Sequence, residues 1–567
     1  MNTRTFRLIV ILGILILSSA ACDTSTPAPT PQPTLMVVDP NALTIATSSE
    51  MAPLLGALAD QFNSQQAGQA GLVPVKIVTI SPSDMVTAAL NPDPPFQAIN
   101  PDSGIWLSKL TNEWANKFKS ETQGSEALPL PRQRFSLPER FAVSPIVIAM
   151  WQKVAASMGW PNQAIGWNTL QERASQDSSF HWNHPSTSYA SGLLATLAEF
   201  YAGAGVNRSL TEAEATDPAT LDYVKKVEAT LRFYGEGESA ILDRLKTDGS
   251  SLLDAFVAQE QIVLRWNKEN PAQTLVAVYP VEGTLWADHP LTLLERYSDF
   301  DHTPLTSPQR DTYYAFARAI LEQNAQNQVL ADGFRPVNTS IDLANASASP
   351  FKSNPNVDAL QPKTTLQIPP YSVIQVIEDF RAYIKKPTNV VLVVDTSGSM
   401  NDASKLPNVK NALTAFVGQI NGKNDRLGLI SFSTAVNYSS GIRPVTPDYK
   451  SSLVNNIQAM SAGGNTAVLD AVLEAYNQLQ NLGDSSAINA IVVMTDGLEN
   501  ASAHTNLNGL VQTLSKGKTP VVVFSIAFGS DADESIMKRL ADATNGQFRK
   551  ADSFNIEDLY KIISTYF

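Results

Sequence analysis

Cysteine and positive charge are scarce in this chain. Its 567 residues include one cysteine, Cys22, so an intramolecular disulfide is impossible and a disulfide scaffold is excluded. The 41 Lys and Arg residues face 54 Asp and Glu residues, which gives a formal net charge of -13. Because nucleic-acid binding depends on clustered Lys and Arg, this balance argues against a nucleic-acid partner.

The motifs of common hydrolases and nucleotide-binding enzymes are also missing. None of the five histidines lies in a His-Glu-x-x-His zinc spacing. Residues 396–399 lack the first glycine of a Gly-x-Ser-x-Gly nucleophile elbow. No lysine follows Gly463-Gly464, as a phosphate-binding loop would require. We therefore predict a binding protein and not an enzyme.

Apolar runs are short throughout the sequence. Residues 8–17 follow two arginines and form an apolar stretch that is too short to span a membrane but suits a secretory signal. We predict a signal peptide over residues 1–21. Cys22 comes directly after Ala20-Ala21, and this ending resembles a bacterial lipoprotein signal. The resemblance implies a lipid on Cys22, with plain cleavage as the alternative.

Alternating prolines follow the predicted signal peptide. They lie between Thr26 and Thr34 and favour an extended segment without a packed core. Residues 22–40 are therefore predicted to form a stalk. The expected location is the extracytoplasmic face of a cell membrane, where the lipid anchor would hold the exported globular part.

Three oxygen-bearing side chains follow an apolar run in the last third of the chain. Residues 391–394 are apolar, and Asp395, Ser397 and Ser399 come next. Ligands of α/β sheets bind at the carboxyl ends of the strands. Small hard oxygens at such an edge suit a magnesium-like cation. One Asp and two Ser supply too few ligands, so others are expected downstream.

Two further ligands are predicted. Thr466 lies in a glycine-rich turn ahead of a helical pattern, and Asp496 ends a second apolar run. The five residues in this order resemble the metal-ion-dependent adhesion site of the von Willebrand factor A family. The resemblance assigns residues 387–567 to such a domain. It implies that the five side chains hold Mg²⁺, or else Mn²⁺ or Ca²⁺, directly or through water, and that a carboxylate of a protein or peptide ligand fills the open position.

Other interpretations of this segment remain open. The residues around Asp395 are compatible with a polar turn that caps the next helix, since Asp and Ser are favoured caps. A phosphotransferase of the haloacid dehalogenase type would need a second Asp where Ser397 stands. A metal-dependent hydrolase would require turnover that depends on Asp395.

Strand and helix patterns alternate in the same region. Apolar runs at residues 390–394, 427–432, 490–494 and 521–526 are separated by stretches of helical periodicity. Strands buried on both faces and alternating with helices predict a doubly wound, mostly parallel sheet. The resemblance implies the same α/β fold.

Residues 41–386 carry a second α/β pattern. An apolar strand at residues 43–46 leads into a hydroxyl-rich turn and then an amphipathic helix. A turn of this kind at a helix N-terminus is suited to anions. The segments 100–104, 144–149, 185–192 and 279–284, in this order, resemble bacterial extracellular solute-binding proteins of the two-lobed type related to the molybdate and sulfate binders.

This second resemblance implies a ligand cleft between two α/β lobes. Carried over by position, the residues facing the cleft are Ser48, Ser49, Ser103, Ser188 and Glu282. The alternative is that the serines merely cap helices. A carboxylate from Glu282 in the cleft would repel an anion, which favours a cationic or polar small-molecule solute.

The two regions are joined by a very short link. An amphipathic helix ending near Ile384 is separated from the next strand by residues 385–388, which include Pro387. Such a link leaves little freedom, so we expect a fixed relative orientation. The sequence thus predicts an anchored extracellular protein that recognises a protein ligand through a metal. The alternative is a solute receptor of an ABC-type transport system, with the second domain as a docking accessory.

Overall fold

The computed structural model describes residue 39 and residues 41–66, 71–121, 133–553 and 555–567. The predicted signal peptide, the lipidation at Cys22 and nearly all of the predicted stalk lie outside these residues. No helix in the described ranges is long and apolar enough to cross a membrane. Within them, residues 41–567 belong to one compact unit.

Strands and helices alternate at the start of the described chain and form less regular runs after α3. Up to residue 204 the elements are β1 (Leu43–Thr47), α1 (Ala52–Gln65), β2 (Val75–Thr79), α2 (Pro82–Ala89), β3 (Ala98–Asn100), α3 (Ile105–Glu121), β4 (Glu139–Arg140), β5 (Ala142–Trp151), α4 (Gln152–Ser157), α5 (Trp167–Gln176), β6 (Trp182–Asn183) and α6 (Ala190–Ala204). There follow α7 (Glu212–Ala215), α8 (Pro218–Ala229), α9 (Glu238–Asp248), β7 (Ala255–Gln259), α10 (Glu260–Glu269), β8 (Leu275–Val278), β9 (Trp286–Ala287), β10 (Pro290–Leu293), α11 (Ser307–Ala319), α12 (Gln323–Ala331), β11 (Arg335–Pro336) and α13 (Tyr371–Ile384).

The last third of the chain begins with β12, directly after α13 and the link. Its elements are β12 (Thr388–Asp395), α14 (Lys405–Gln419), β13 (Arg426–Phe432), β14 (Val436–Ser439), β15 (Arg443–Pro444), α15 (Pro447–Ala459), α16 (Val468–Leu482), β16 (Ile488–Thr495), α17 (Leu507–Leu514), β17 (Val522–Phe528), α18 (Glu534–Asp542), β18 (Gln547–Ala551) and α19 (Ile556–Ser564). Short 3-10 segments lie at Gly249–Ser251, Pro350–Ser353 and Gly398–Ser404.

Two sheets build the first two thirds of the chain. The first lobe has the strand order β2-β1-β3-β10-β4, with β1 parallel to β2 and β3. The second lobe has the order β11-β5-β7-β6, and β8 and β9 also pair with β5. The first lobe packs α1, α11 and α12 onto its sheet around a core that includes Leu55, Phe62 and Phe316. The predicted two-lobed α/β architecture is therefore confirmed.

The third sheet forms the domain at the end of the chain, which we call the A domain (residues 387–567). Its strand order is β14-β13-β12-β16-β17-β18. Five neighbouring strands run parallel, in the order β13, β12, β16, β17 and β18. Strands β14 and β15 both pair antiparallel with β13. Strands β12 and β16 are buried along their whole length, which is why they read as continuous apolar runs. The predicted doubly wound, mostly parallel sheet is confirmed.

The A domain packs directly on the second lobe. Lys386 of the link donates its backbone N–H to the Tyr234 hydroxyl at 2.9 Å. Arg549 of β18 forms an ion pair with Glu236 at 2.5 Å, and one apolar core includes residues from both regions. These contacts and the short link agree with the expected fixed orientation of the A domain relative to the second lobe.

Candidate functional site

The predicted metal ligands lie at the carboxyl edge of the A-domain sheet. Asp395 ends β12, and Asp496 follows the last residue of β16. The two strands are parallel neighbours with Val394 opposite Met494. This register places both carboxylates side by side although they are far apart in sequence. Both side chains are buried.

Serine hydroxyls connect the two strand ends. The chain turns sharply after β12, and the Ser397 N–H donates to Asp395 Oδ1 at 2.6 Å. Ser399 Oγ then donates to Asp496 Oδ1 at 2.6 Å and lies 3.1 Å from Ser397 Oγ. Asp395, Ser397, Ser399 and Asp496 therefore form one connected group of oxygens.

Thr466 enters the same group from the loop before α16. The N–H of Gly398 donates to Gly464 O at 2.9 Å, which ties that loop to the Ser397 turn. A side chain on Gly497 would place its Cβ 3.0 Å from Thr466 Oγ1 and 3.5 Å from Ser399 Oγ. Both hydroxyls thus approach the same point, and the absence of a Cβ at Gly497 leaves room for them. The structure brings all five predicted ligands to one place.

The electrostatics of this site favour a cation. Burial and then the charge of Asp496 raise the pKa of Asp395, against hydrogen bonds from Thr495 and Ser397 that lower it. Two neighbouring buried carboxylates repel each other, and the ammonium of Lys405, 2.7 Å from Asp496 Oδ2, pairs with only one of them. Carboxylate and hydroxyl oxygens are the donors that Mg²⁺ takes, with water in the remaining positions. The residues present therefore fit a divalent cation.

Two further residues belong to the site, and the sequence reasoning missed them. Thr495 Oγ1 donates to Asp395 Oδ2 at 2.5 Å and so orients that carboxylate. Lys405 Nζ lies 2.7 Å from Asp496 Oδ2 in a nearly buried ion pair. The sequence signal for Thr495 is its hydroxyl, which directly precedes the predicted ligand Asp496. Lys405 is separated from the motif by a turn, and no spacing rule pointed to it.

Most of the predicted cleft serines lie near the junction of the two lobes. Ser48 is buried, and its hydroxyl has no hydrogen-bond partner within the described residues. Ser49 Oγ lies 2.9 Å from both carboxylate oxygens of Glu50. Ser103 is buried, and its hydroxyl accepts from the Ile105 N–H at 3.3 Å at the start of α3.

Ser188 is half-buried just before α6, and its N–H donates to Ser186 Oγ at 3.3 Å. These contacts are local, and α6 begins after Tyr189 without a side-chain cap.

Acidic residues, which the sequence reasoning did not nominate, join the lobes. Asp102 of the first lobe accepts from the Ala190 N–H at the start of α6, at 3.2 Å. Glu50 accepts from the Ser239 N–H of α9 at 3.4 Å. Gly237 precedes α9, and a Cβ there would lie 2.6 Å from Glu50 Oε1. First-lobe carboxylates thus meet helix N-termini of the second lobe.

A third carboxylate, Glu238, lies in the same place. Burial and the charge of Glu50 raise the pKa of Asp102 to about 7, and the same two causes raise the pKa of Glu238 well above its ordinary value. Asp102 Oδ1 and Glu238 Oε2 are buried without a hydrogen-bond partner among the described residues. We call Glu50, Asp102 and Glu238 the interlobe acidic cluster.

Glu282 contacts the start of α5. Its carboxylate accepts from the N–H groups of Trp167 and Asn168, at 3.2 and 3.4 Å. It therefore caps the N-terminus of α5, where unpaired N–H groups and the helix dipole favour a negative charge. The acidic side chains that the structure places between the lobes are those of the interlobe acidic cluster.

Two protein families match this chain. Residues 43–335 match the family described as bacterial extracellular solute-binding protein. Residues 389–562 match the von Willebrand factor type A domain. The resemblances to the solute-binding proteins and to the von Willebrand factor A family are thereby confirmed.

Individual relatives match parts of the chain. Inter-alpha-trypsin inhibitor heavy chain H6 of Homo sapiens is 30% identical over 215 residues, which are 34% of this chain and 16% of that protein. A periplasmic thiamin binding protein covers 61% of this chain and 96% of its own, with 12% identity and a TM-score of 0.42. A von Willebrand factor type A structure from Catenulispora acidiphila covers 32% and 42%, with 16% identity and a TM-score of 0.29. The chain spans less than a third of the length of the curated relatives it matches.

Proposed function

We propose that this chain, which belongs to the bacterial extracellular solute-binding protein family, is an exported binding protein. The family match covers more than half of its length. The chain also carries a von Willebrand factor type A domain. It acts by recognition and not by turnover. A divalent cation, Mg²⁺ in the first instance, is held at the edge of the A-domain sheet. A carboxylate of a protein or peptide ligand completes its coordination.

The observation that carries this proposal is the convergence of five oxygen-bearing side chains from three loops. Asp395 and Asp496 are buried next to each other, and Ser399 is hydrogen-bonded to Asp496. Small oxygen ligands at one edge of a parallel sheet give a cation few protein bonds and leave positions open for a ligand. The extracellular family supports export, and a lipid on Cys22 would hold the protein at the membrane.

The test is recovery of a partner from a membrane extract by the full chain, with Mg²⁺ or with chelator. We expect a partner that is recovered in Mg²⁺ and lost in chelator. Addition of free acetate at high concentration should weaken recovery, because it competes for the open position on the cation. A partner recovered equally with and without chelator contradicts the proposal.

The interlobe acidic cluster favours a second function, that of a receptor for a cationic solute. Buried carboxylates with unpartnered oxygens are costly unless a positive charge compensates them. A small organic cation between the lobes would provide that charge, whereas an oxyanion would be repelled. In this function the A domain is an accessory that docks the receptor to a membrane transporter.

Thermal unfolding of the full chain with putrescine, choline, sulfate or molybdate tests this second function. A cation at about 100 times its Kd is expected to stabilise the protein by roughly 2.7 kcal/mol, and the oxyanions are expected to have no effect. Binding should tighten from pH 6 to pH 8, because the pKa of Asp102 is about 7 and a cation must replace its proton. Glu238→Gln should weaken the response, while Glu212→Gln on the exposed start of α7 should not. Stabilisation by oxyanions alone would contradict the cationic assignment.

A further inference from the structure

A buried group of three metal-ligating side chains lies in the second lobe, away from both sites described above. It consists of His184 after β6, Glu199 in α6 and Glu228 in α8. One ligand atom from each lies within 4.8 Å of the others, and all three residues are fully buried. We call these residues the buried triad.

The contacts of His184 place two hydrogen-bond acceptors against each other. Its Nδ1 lies 2.7 Å from the carbonyl oxygen of Pro185, so Nδ1 must carry a proton and donate. In the neutral ring, Nε2 then presents a lone pair to Glu228 Oε1, 3.4 Å away. Two acceptors cannot bond to each other. A proton between the two atoms, on Nε2 or on the Glu228 carboxyl, or a metal ion would resolve this contact.

Glu199 discriminates between these two solutions. Neither of its carboxylate oxygens has a hydrogen-bond partner in the described part of the chain. A proton shared by His184 and Glu228 would leave both Glu199 oxygens without a partner among the described residues. A divalent ion would bind all three residues at once.

The geometry matches a zinc-like ion. With bonds of about 2.1 Å, the ligand atoms around a tetrahedral zinc are about 3.4 Å apart. The separation of His184 Nε2 and Glu228 Oε1 has this value, and small side-chain rotations would bring Glu199 equally close. One imidazole nitrogen with carboxylate oxygens suits Zn²⁺ better than Mg²⁺. One oxygen of Glu199 supplies the third donor atom, and a water molecule can take the fourth position of the tetrahedron.

The surroundings of the triad resemble the outer shell of a metal site. The Pro185 carbonyl fixes the His184 ring, as backbone acceptors do for metal-bound histidines. The Tyr234 hydroxyl donates to Glu228 and accepts from the Lys386 N–H of the link at 2.9 Å. A short hydrogen-bonded chain therefore runs from the triad to the link between the lobes and the A domain.

We propose that the buried triad of His184, Glu199 and Glu228 is a structural Zn²⁺ site that ties helices α6 and α8 together beneath the link. The ion neutralises two carboxylates that are fully buried. It is distinct from the Mg²⁺ site of the A domain, which is open, oxygen-only and readily emptied by chelator.

The test is the zinc content of the full chain, produced with zinc and dialysed against EDTA at neutral pH. We expect about one tightly held zinc per wild-type chain, because a closed site with nitrogen and oxygen ligands holds zinc firmly. Asp395→Ala should keep this zinc, which separates the two sites. Glu199→Gln should lose it, and cobalt in place of zinc should give tetrahedral absorption bands in the wild type only.

Stability provides the matched control. Without metal, Glu199→Gln should unfold at a temperature no lower than that of the wild type, because glutamine removes a buried charge and keeps the shape. With zinc, only the wild type should gain stability. If Glu199→Gln fails to fold, the zinc content and the unfolding temperature are measured on His184→Gln. A wild-type chain without zinc, or a Glu199→Gln chain that retains it, overturns the proposal.

Discussion

Asp395→Ala is expected to abolish binding of Mg²⁺ and of any Mg²⁺-dependent partner. Asp395 is buried beside Asp496 and is the carboxylate that the Ser397 N–H and the Thr495 hydroxyl orient. Removing a partner of a metal ligand typically costs about 10- to 100-fold in metal affinity, and loss of the ligand itself should exceed that. Calorimetric titration of the full chain with Mg²⁺ or Mn²⁺ measures the effect.

The same variant should remain folded. Alanine leaves the Thr495 hydroxyl and the Ser397 N–H without their acceptor, which costs roughly 1–3 kcal/mol. It also removes a buried negative charge next to Asp496, which offsets part of that cost. In chelator, the free energy of unfolding should therefore stay within about 2 kcal/mol of the wild type. Asp448→Ala, on the exposed first turn of α15, is the control that should bind Mg²⁺ normally. Undiminished Mg²⁺ binding by Asp395→Ala would disprove the assignment.

Asp301→Ala is expected to cause the largest loss of stability, about 3–5 kcal/mol, because it leaves a buried arginine without its partner. Asp301 receives two hydrogen bonds from Arg134, at 2.6 and 2.8 Å, and both side chains are buried. Arg134 also donates to the carbonyls of Ala89, Asn91 and Glu295. Urea unfolding of the full chain measures the loss. The control is Asp311→Ala, at an exposed position of α11. A loss below about 1 kcal/mol, the size expected of a surface pair, would contradict the prediction.

This ion pair also predicts a dependence on pH. Burial alone would raise the pKa of Asp301, but the hydrogen bonds and charge of Arg134 outweigh it and lower the pKa to about 2. A carboxylate with a lowered pKa stabilises the fold above its ordinary pKa near 3.8, and this contribution is lost as the pH falls towards 2. The difference in stability between the wild type and Asp301→Ala should therefore shrink between pH 4 and pH 2. A difference that is constant over this range would show that Asp301 does not titrate as described.

The fold was predictable because its strands are buried and its helices are periodic. The runs at residues 390–394 and 490–494 correspond to β12 and β16, which the structure extends by one or two residues at each end. The A-domain ligands were predictable for a related reason. Parallel strands bring their carboxyl ends to one edge, so polar residues at strand ends are neighbours in space.

The interlobe residues were not predictable in the same way. Glu50 and Asp102 stand in turns before helices, where acidic residues are common for reasons of capping alone. Their role depends on how closely α6 and α9 approach from the other lobe, which no local pattern encodes. Glu282 shows the converse, because its position in sequence suggested a cleft while its actual partners are the first N–H groups of α5.

Helix α9 touches both neighbours of the second lobe. Its first turn donates to Glu50 of the first lobe through Ser239. Further along, Arg244 donates to the carbonyls of Asn545 and Gly546 in the A domain, both at 3.1 Å. A rigid rod held at two places cannot be displaced at one without strain at the other. A ligand that altered the contact of Glu50 with Ser239 would therefore be expected to act on the contacts of Arg244 as well, and any such coupling of two binding sites would be reciprocal.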